Sequence, residues 1–151
     1  MNKRRKTRVF GQRTLDIILV CLAALCVCIM LLMPRKIHVT LDGVDVVGDT
    51  EPIRKNEAVF LPIKFVVEQA GYEISWSESQ QAIVIKNDQR EIHARAEQQE
   101  YSKDGQTFIM ADKPFLSEYR TYMRADDIAR MLDLRFAWDE DSFTVKLESE
   151  R

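Results

Sequence analysis

Apolar residues stand at i, i+3, i+4 and i+7 in Ile63, Val66, Val67 and Ala70, and again in Ala125, Ile128, Ala129 and Leu132. That spacing puts four apolar side chains on one face of a helix. Each stretch is followed by alternation, Tyr72, Ile74 and Trp76 in one case and Leu134, Phe136 and Trp138 in the other, which predicts half-buried strands. Polar turns at 77–80 and 139–142 then lead into Ile83 and Ile85, and into Val145 and Leu147. The two stretches, residues 59–85 and 121–147, are one pattern written twice with a constant offset of 62 and no gap. Phe60 falls on Tyr122, Leu61 on Met123 and Trp76 on Trp138. Each copy reads as strand, helix, strand, turn, strand, a unit that cannot bury its own apolar face.

Helix ends follow from residue types. Pro62 suits a first helical position, where its missing N–H costs nothing, and Gly71 suits the left-handed residue after a helix. Asp133 replaces that glycine in the second copy and tolerates the left-handed region less well, so the second helix is expected to end more loosely. Outside the copies, Ile37, Val39 and Leu41 alternate with His38 and Thr40, and Asp42-Gly43 signals a hairpin. Residues 91–96 read as a strand and Asp104-Gly105 as a turn into 107–110, while 48–56 and 113–118 read as loops around Pro52 and Pro114. The expected fold class is α+β: two β-α-β-β repeats with extra hairpins in one pseudo-symmetric domain, preceded by a single transmembrane helix.

The strand ending in Leu61-Pro62, the apolar helix, Ala70-Gly71, the strand ending in Trp76, the polar turn and the Ile83-Val84-Ile85 strand resemble the copper amine oxidase N-terminal domain, a stalk-type module. The resemblance extends over about 37–147, with 37–43 similar to the module's first hairpin and Lys103-Asp104-Gly105 to its middle one. The second copy departs from the pattern at Met123-Arg124-Ala125-Asp126, where the module usually has Val-Pro-Leu-Arg. The resemblance implies an extracytoplasmic module of the kind common in Gram-positive bacteria. It implies no copper or quinone, which in amine oxidases belong to a separate catalytic domain.

Charge divides the chain. Residues 1–14 carry six basic residues and no acid, whereas residues 34–151 hold 16 basic residues against 23 acids, a net charge of −7. Between them 17–33 contains no charged or strongly polar residue, and Leu15 to Met33 is expected to lie in the lipid bilayer as an uncleaved signal anchor. A cleaved secretory signal is the alternative, but no small-x-small cleavage site follows the run. The expected organisation is a basic cytoplasmic tail over 1–14, a transmembrane helix over 15–33 and an extracytoplasmic domain over 34–151. The basic excess ahead of the apolar run places the N-terminus inside and the C-terminal domain outside the cell membrane. All three cysteines lie in the apolar run, so the exported domain has no disulfide. Its acidity argues against a nucleic acid partner.

Candidate chemistry is sparse. His38 and His93 are the only histidines and occupy the polar side of alternating strands, too few for a copper or zinc site. There is no nucleophile elbow, phosphate loop or quinone-forming motif. Asp139, Glu140 and Asp141 form a dense acidic cluster that reads as a solvated turn, with a weak Ca²⁺ site as the sharper alternative. Asp126 and Asp127 fit the first turn of a helix, where carboxylates favour the dipole. Trp76 and Trp138 read as core anchors, with sugar stacking as the alternative. No catalytic, cofactor-binding or metal-ligating residue is expected, and no cofactor.

These features lead to a non-enzymatic binding or scaffolding module held at the membrane, whose partner is another membrane or envelope protein. Recognition of cell-wall glycan or peptide is the alternative within binding. A hydrolase using Asp139 and Asp141 is the alternative among enzymes. Arg120, Arg124, Arg130 and Arg135 offer a local basic patch for an anionic partner.

Overall fold

A computed structural model describes residues 6–32, 35–95 and 98–150. Residues 1–5 of the basic tail, Met33 and Pro34 at the end of the apolar run, and Ala96 at the end of an expected strand lie outside them. The chain divides into two units, Met1–Arg35 and Lys36–Arg151. In the first, α1 runs without interruption over Lys6–Leu32, 27 residues that rise about 40 Å. Among the described residues no helix is long and apolar enough to cross a membrane.

The second unit is α+β. Its elements are β1 (His38–Leu41), β2 (Val44–Asp45), β3 (Ile53–Lys55), β4 (Ala58–Pro62), α2 (Ile63–Gln69), β5 (Glu73–Ser77), β6 (Ala82–Lys86) and β7 (Glu91–Arg95). They continue as β8 (Glu100–Lys103), β9 (Gln106–Ile109), β10 (Phe115–Ser117), β11 (Arg120–Arg124), α3 (Ala125–Leu132), β12 (Leu134–Asp139) and β13 (Thr144–Ser149). The strands β4 and β11 begin and end 62 residues apart, and the helices and strands that follow them keep that offset to within a residue or two. The repeat is wider than the hydrophobic pattern reveals, because β1, β3 and β8, β10 are also related by 62.

Backbone conformation repeats with the same spacing. Left-handed residues occur in pairs: Asp42 (φ 50°) with Asp104 (φ 51°), Asn56 (φ 49°) with Glu118 (φ 48°), and Gln81 (φ 49°) with Phe143 (φ 52°). The Asp-Gly turn is the same in both copies, whereas at the other two turns the side chains differ and the backbone conformation is kept.

Three sheets result. The central one has the order β10-β11-β4-β3, with β4 and β11 antiparallel and Leu61 directly opposite Met123. On one side β12-β13-β1-β2 joins the first hairpin to the second copy, and on the other β5-β6-β7-β8-β9 joins the middle hairpin to the first copy. Each copy therefore completes its sheet with the hairpin that precedes the other. The two outer sheets differ by one strand: β1 pairs directly and in parallel with β13, whereas β7 is inserted between β6 and β8 and is antiparallel to both.

The core is formed by Leu61, Ile63, Val66, Val67, Ile85, Ile92, Met123, Ile128, Met131 and Leu147, all at most 2% exposed. Two expected loops are in part strands. β3 and β10 lie within 48–56 and 113–118, three residues each, and go undetected by alternation because their partners decide their pairing. Pro62 is the residue before α2, in an extended conformation, and not its first helical residue. It stands at the end of β4, opposite Tyr122 of β11. Gly71 is left-handed at φ 82°, and Asp133 takes the equivalent place at φ 53°. The expected looseness at Asp133 is offset by Arg90 and Lys103, whose cationic groups both bond its carboxylate.

Candidate functional site

The groups that sequence reading singled out lie apart and are mostly engaged by neighbours. His38 is exposed on β1. His93, on β7, is half-buried, with Nδ1 2.6 Å from Gln80 Oε1 and Nε2 2.6 Å from Glu91 Oε1, so the expectation of an exposed imidazole holds only for His38. His93 stands in an open groove of about 570 Å³ across β7, β8 and β9, where Gln80, Arg95, Glu100, Ser102 and Thr107 add polar side chains. Among the described residues no group of three or more His, Cys, Asp or Glu is arranged to hold a metal ion.

The acidic turn is likewise taken up internally. Asp139 accepts the N–H groups of Asp141 and Ser142 at 3.1 Å and the Lys146 ammonium at 2.7 Å. The Lys146 bond, then the Ser142 N–H, hold the Asp139 carboxyl well below the usual carboxylate range. Glu140 accepts both guanidinium nitrogens of Arg54, at 3.0 and 3.2 Å, and the indole N–H of Trp138. A paired-carboxylate acid and base needs one group kept protonated, and Asp139 is pushed the other way.

The expected basic patch is neutralised. Arg120 pairs with Asp49, Arg124 with Asp112 and Asp126, Arg130 with Asp127, and Arg135 with Glu148. Four arginines in one segment are visible in the sequence, and so are Asp126 and Asp127 beside two of them, but Asp49, Asp112 and Glu148 are brought to the others only by the fold.

Asp127 has a role that sequence reading missed. It is fully buried, and both its oxygens accept the Ala111 N–H, at 3.1 and 3.0 Å, while Arg130 bonds it from one turn later. It fastens the segment after β9 to the start of α3. In the first copy the equivalent position is Phe65, whose ring lies against Gly48 so closely that a Cβ there would come within 2.5 Å of it. The Asp-Arg pair at i, i+3 was the available signal, and it reads equally as a surface pair.

The two tryptophans part company. Trp138 is partly buried against the core, meets the Phe143 ring edge-on at 5.6 Å, and is covered by Arg54, whose Cζ lies 5.3 Å from the ring centroid. Trp76 is 45% exposed, and among the described residues nothing stacks on it or bonds its indole N–H. The expectation of two equivalent core anchors therefore fails for Trp76. Matching strand positions do not confer matching cover, because the covering groups come from elsewhere in the chain: Arg54 from β3 over Trp138, Leu116 at the equivalent place in β10. Leu116 is 72% exposed and Tyr119, at the tip of the same hairpin, 92%. Like Trp76 they are exposed apolar side chains, and a surface of this kind binds other molecules more readily than it performs chemistry.

The family model described as the copper amine oxidase N-terminal domain matches residues 40–147. No curated protein matches the chain.

Proposed function

The chain belongs to the copper amine oxidase N-terminal domain family, a domain that is non-catalytic in the oxidase, and on that premise we propose that it is a non-enzymatic binding or scaffolding module held at the outer face of a cell membrane. Its partner is another membrane or envelope protein. The observation that carries this reading is the contrast between the polar groups, whose carboxylates and arginines are paired with one another, and the uncovered apolar side chains Trp76, Leu116 and Tyr119. Paired charges leave little for chemistry, whereas exposed aromatic and aliphatic groups gain free energy on contact with a partner.

Anchoring follows from the apolar run from Leu15 to Met33 behind a basic tail. In the sequence only Pro34, Arg35 and Lys36 separate the apolar run ending at Met33 from the alternating stretch that begins at Ile37. A tether that short keeps the domain near the headgroups and raises its effective concentration toward neighbours that are themselves in the membrane. The exposed indole of Trp76 favours a second reading, stacking on a cell-wall glycan. Insertion of a flexible linker of about 30 residues after Lys36 separates the two. Loss of in vivo cross-linking to a membrane protein supports the first reading, and preserved function with greater retention on isolated cell wall supports the second.

A further inference from the structure

Trp138 displays an occupied version of the place that Trp76 leaves open. In the second copy four groups form a closed set: the Trp138 indole, Glu140 two residues later, Phe143 at the left-handed turn position, and Arg54 from β3. The Arg54 guanidinium lies 5.3 Å from the centroid of Trp138 and 5.6 Å from that of Phe143, and bonds Glu140 through two nitrogens at 3.0 and 3.2 Å. The offset of 62, subtracted from Trp138, Glu140 and Phe143 and added to Arg54, gives the first copy's set as Trp76, Glu78, Gln81 and Leu116. The scaffold is the same in both, since Trp76 pairs with Ile83 as Trp138 pairs with Val145, and Gln81 and Phe143 share the left-handed conformation. The tryptophan and the glutamate are kept, while Gln81 stands in place of the Phe143 ring and Leu116 in place of the guanidinium.

We propose that Trp76 and Glu78 receive an arginine side chain from a partner protein, in the way that Trp138 and Glu140 receive Arg54. The proposal rests on the reading of the domain as a protein-binding module and names the chemistry of one contact. An indole face attracts a cation, and a guanidinium satisfies both the face and a carboxylate beside it, because its plane stacks while its edge bonds in two places. Glu78 is exposed, and its present bonds are from the Gln81 amide to its carbonyl at 2.9 Å and to its carboxylate at 3.2 Å, a neutral partner that a cation displaces. Leu116 stands where Arg54 stands in the other copy and offers an apolar surface to the methylene stem of the incoming arginine. The net charge of −7 over residues 34–151 favours approach of a basic segment.

The test uses the full chain in phosphatidylcholine nanodiscs with ¹⁵N-labelled tryptophan, reading the two indole N–H signals by NMR. The probes are the blocked pentapeptide Gly-Gly-Arg-Gly-Gly, its lysine counterpart, and a tetramer of N-acetylglucosamine. The expected result is a saturable shift of the Trp76 signal with the arginine peptide, at least about five-fold tighter than with the lysine peptide, and no response at Trp138. Leu116→Arg, which supplies the missing guanidinium from within, is expected to abolish the response, and Glu78→Gln to weaken it. Arg54→Leu is expected to open Trp138 to the same peptide. Equal response to both peptides, response to the glycan alone, or undiminished binding by Leu116→Arg overturns the proposal. A photo-cross-linker placed at Leu116 and at sites on the other faces distinguishes this failure from failure of the parent reading. Cross-linking to an envelope protein only through another face removes this site and leaves the module's function standing, whereas no such cross-link from any face removes both.

Discussion

Leu61 and Met123 face each other across β4 and β11, and they are also each other's equivalents in the repeat. Their neighbours in the register, Phe60 with Arg124 and Pro62 with Tyr122, exchange under the same offset. The pseudo-two-fold axis therefore passes through this one pair, which is buried to within 1% of full enclosure. Two copies meet at the point where neither can be shielded by its own chain.

Truncation at the axis is expected to be severe. Leu61→Ala removes packing from both halves at once and is expected to cost about 2–5 kcal/mol, whereas Met123→Leu conserves volume and is expected to cost less than about 1.5 kcal/mol. Urea denaturation with a common slope for the variants checks both values.

The tryptophans are expected to respond differently. Trp138→Ala removes a ring that packs against the core and strands Arg54 and Glu140, so a loss of roughly 2–4 kcal/mol is expected. Trp76→Ala exposes little that was buried and is expected to stay within about 1 kcal/mol of the parent. Thermal melts of the two variants decide it, and equal destabilisation would show that the indole of Trp76 is covered in solution.

Asp127→Ala is expected to cost about 1–3 kcal/mol, because the Ala111 N–H loses both of its acceptor oxygens and Arg130 its counter-charge. Asp127→Asn keeps one acceptor oxygen and is expected to lose less. Hydrogen exchange at the Ala111 amide, faster in Asp127→Ala while β13 stays protected, locates the effect in the segment after β9.

Acid is expected to weaken the turn at Asp139. Lys146 and the Ser142 N–H lower its folded-state pKa below the unfolded value. Its contribution is thus fully present above the ordinary carboxylate range, near pH 4, and disappears as pH falls through the lower folded value. The gap in melting temperature between the parent and Asp139→Asn is therefore expected to close only below about pH 4. A gap that closes near neutrality would assign the effect to another group.

Protease added to intact protoplasts is expected to digest the chain beyond Arg35 and to spare the segment before it. A C-terminal tag that survives this treatment would place the domain on the other side of the membrane.

Periodicity alone established the repeat, the two helices, the polar turns and the α+β class. Each of these depends on short spacings: i, i+4 for a helix face, i, i+2 for a strand, and Asp-Gly for a turn. Sequence by itself also showed that the chain is divided between a basic apolar-flanked start and an acidic remainder. Only tertiary structure decided which hairpin completes which sheet, because strand order depends on pairs up to 106 residues apart, such as His38 with Thr144. The same distance hid the cover of Trp138, since nothing in the vicinity of residue 138 announces that Arg54 arrives 84 residues from the other side. It also hid the fate of Asp127, a carboxylate that looks like a helix-dipole residue until the backbone of Ala111 is brought to it. Local pattern determines which face of an element is apolar, and the fold determines what that face, or its absence of cover, meets.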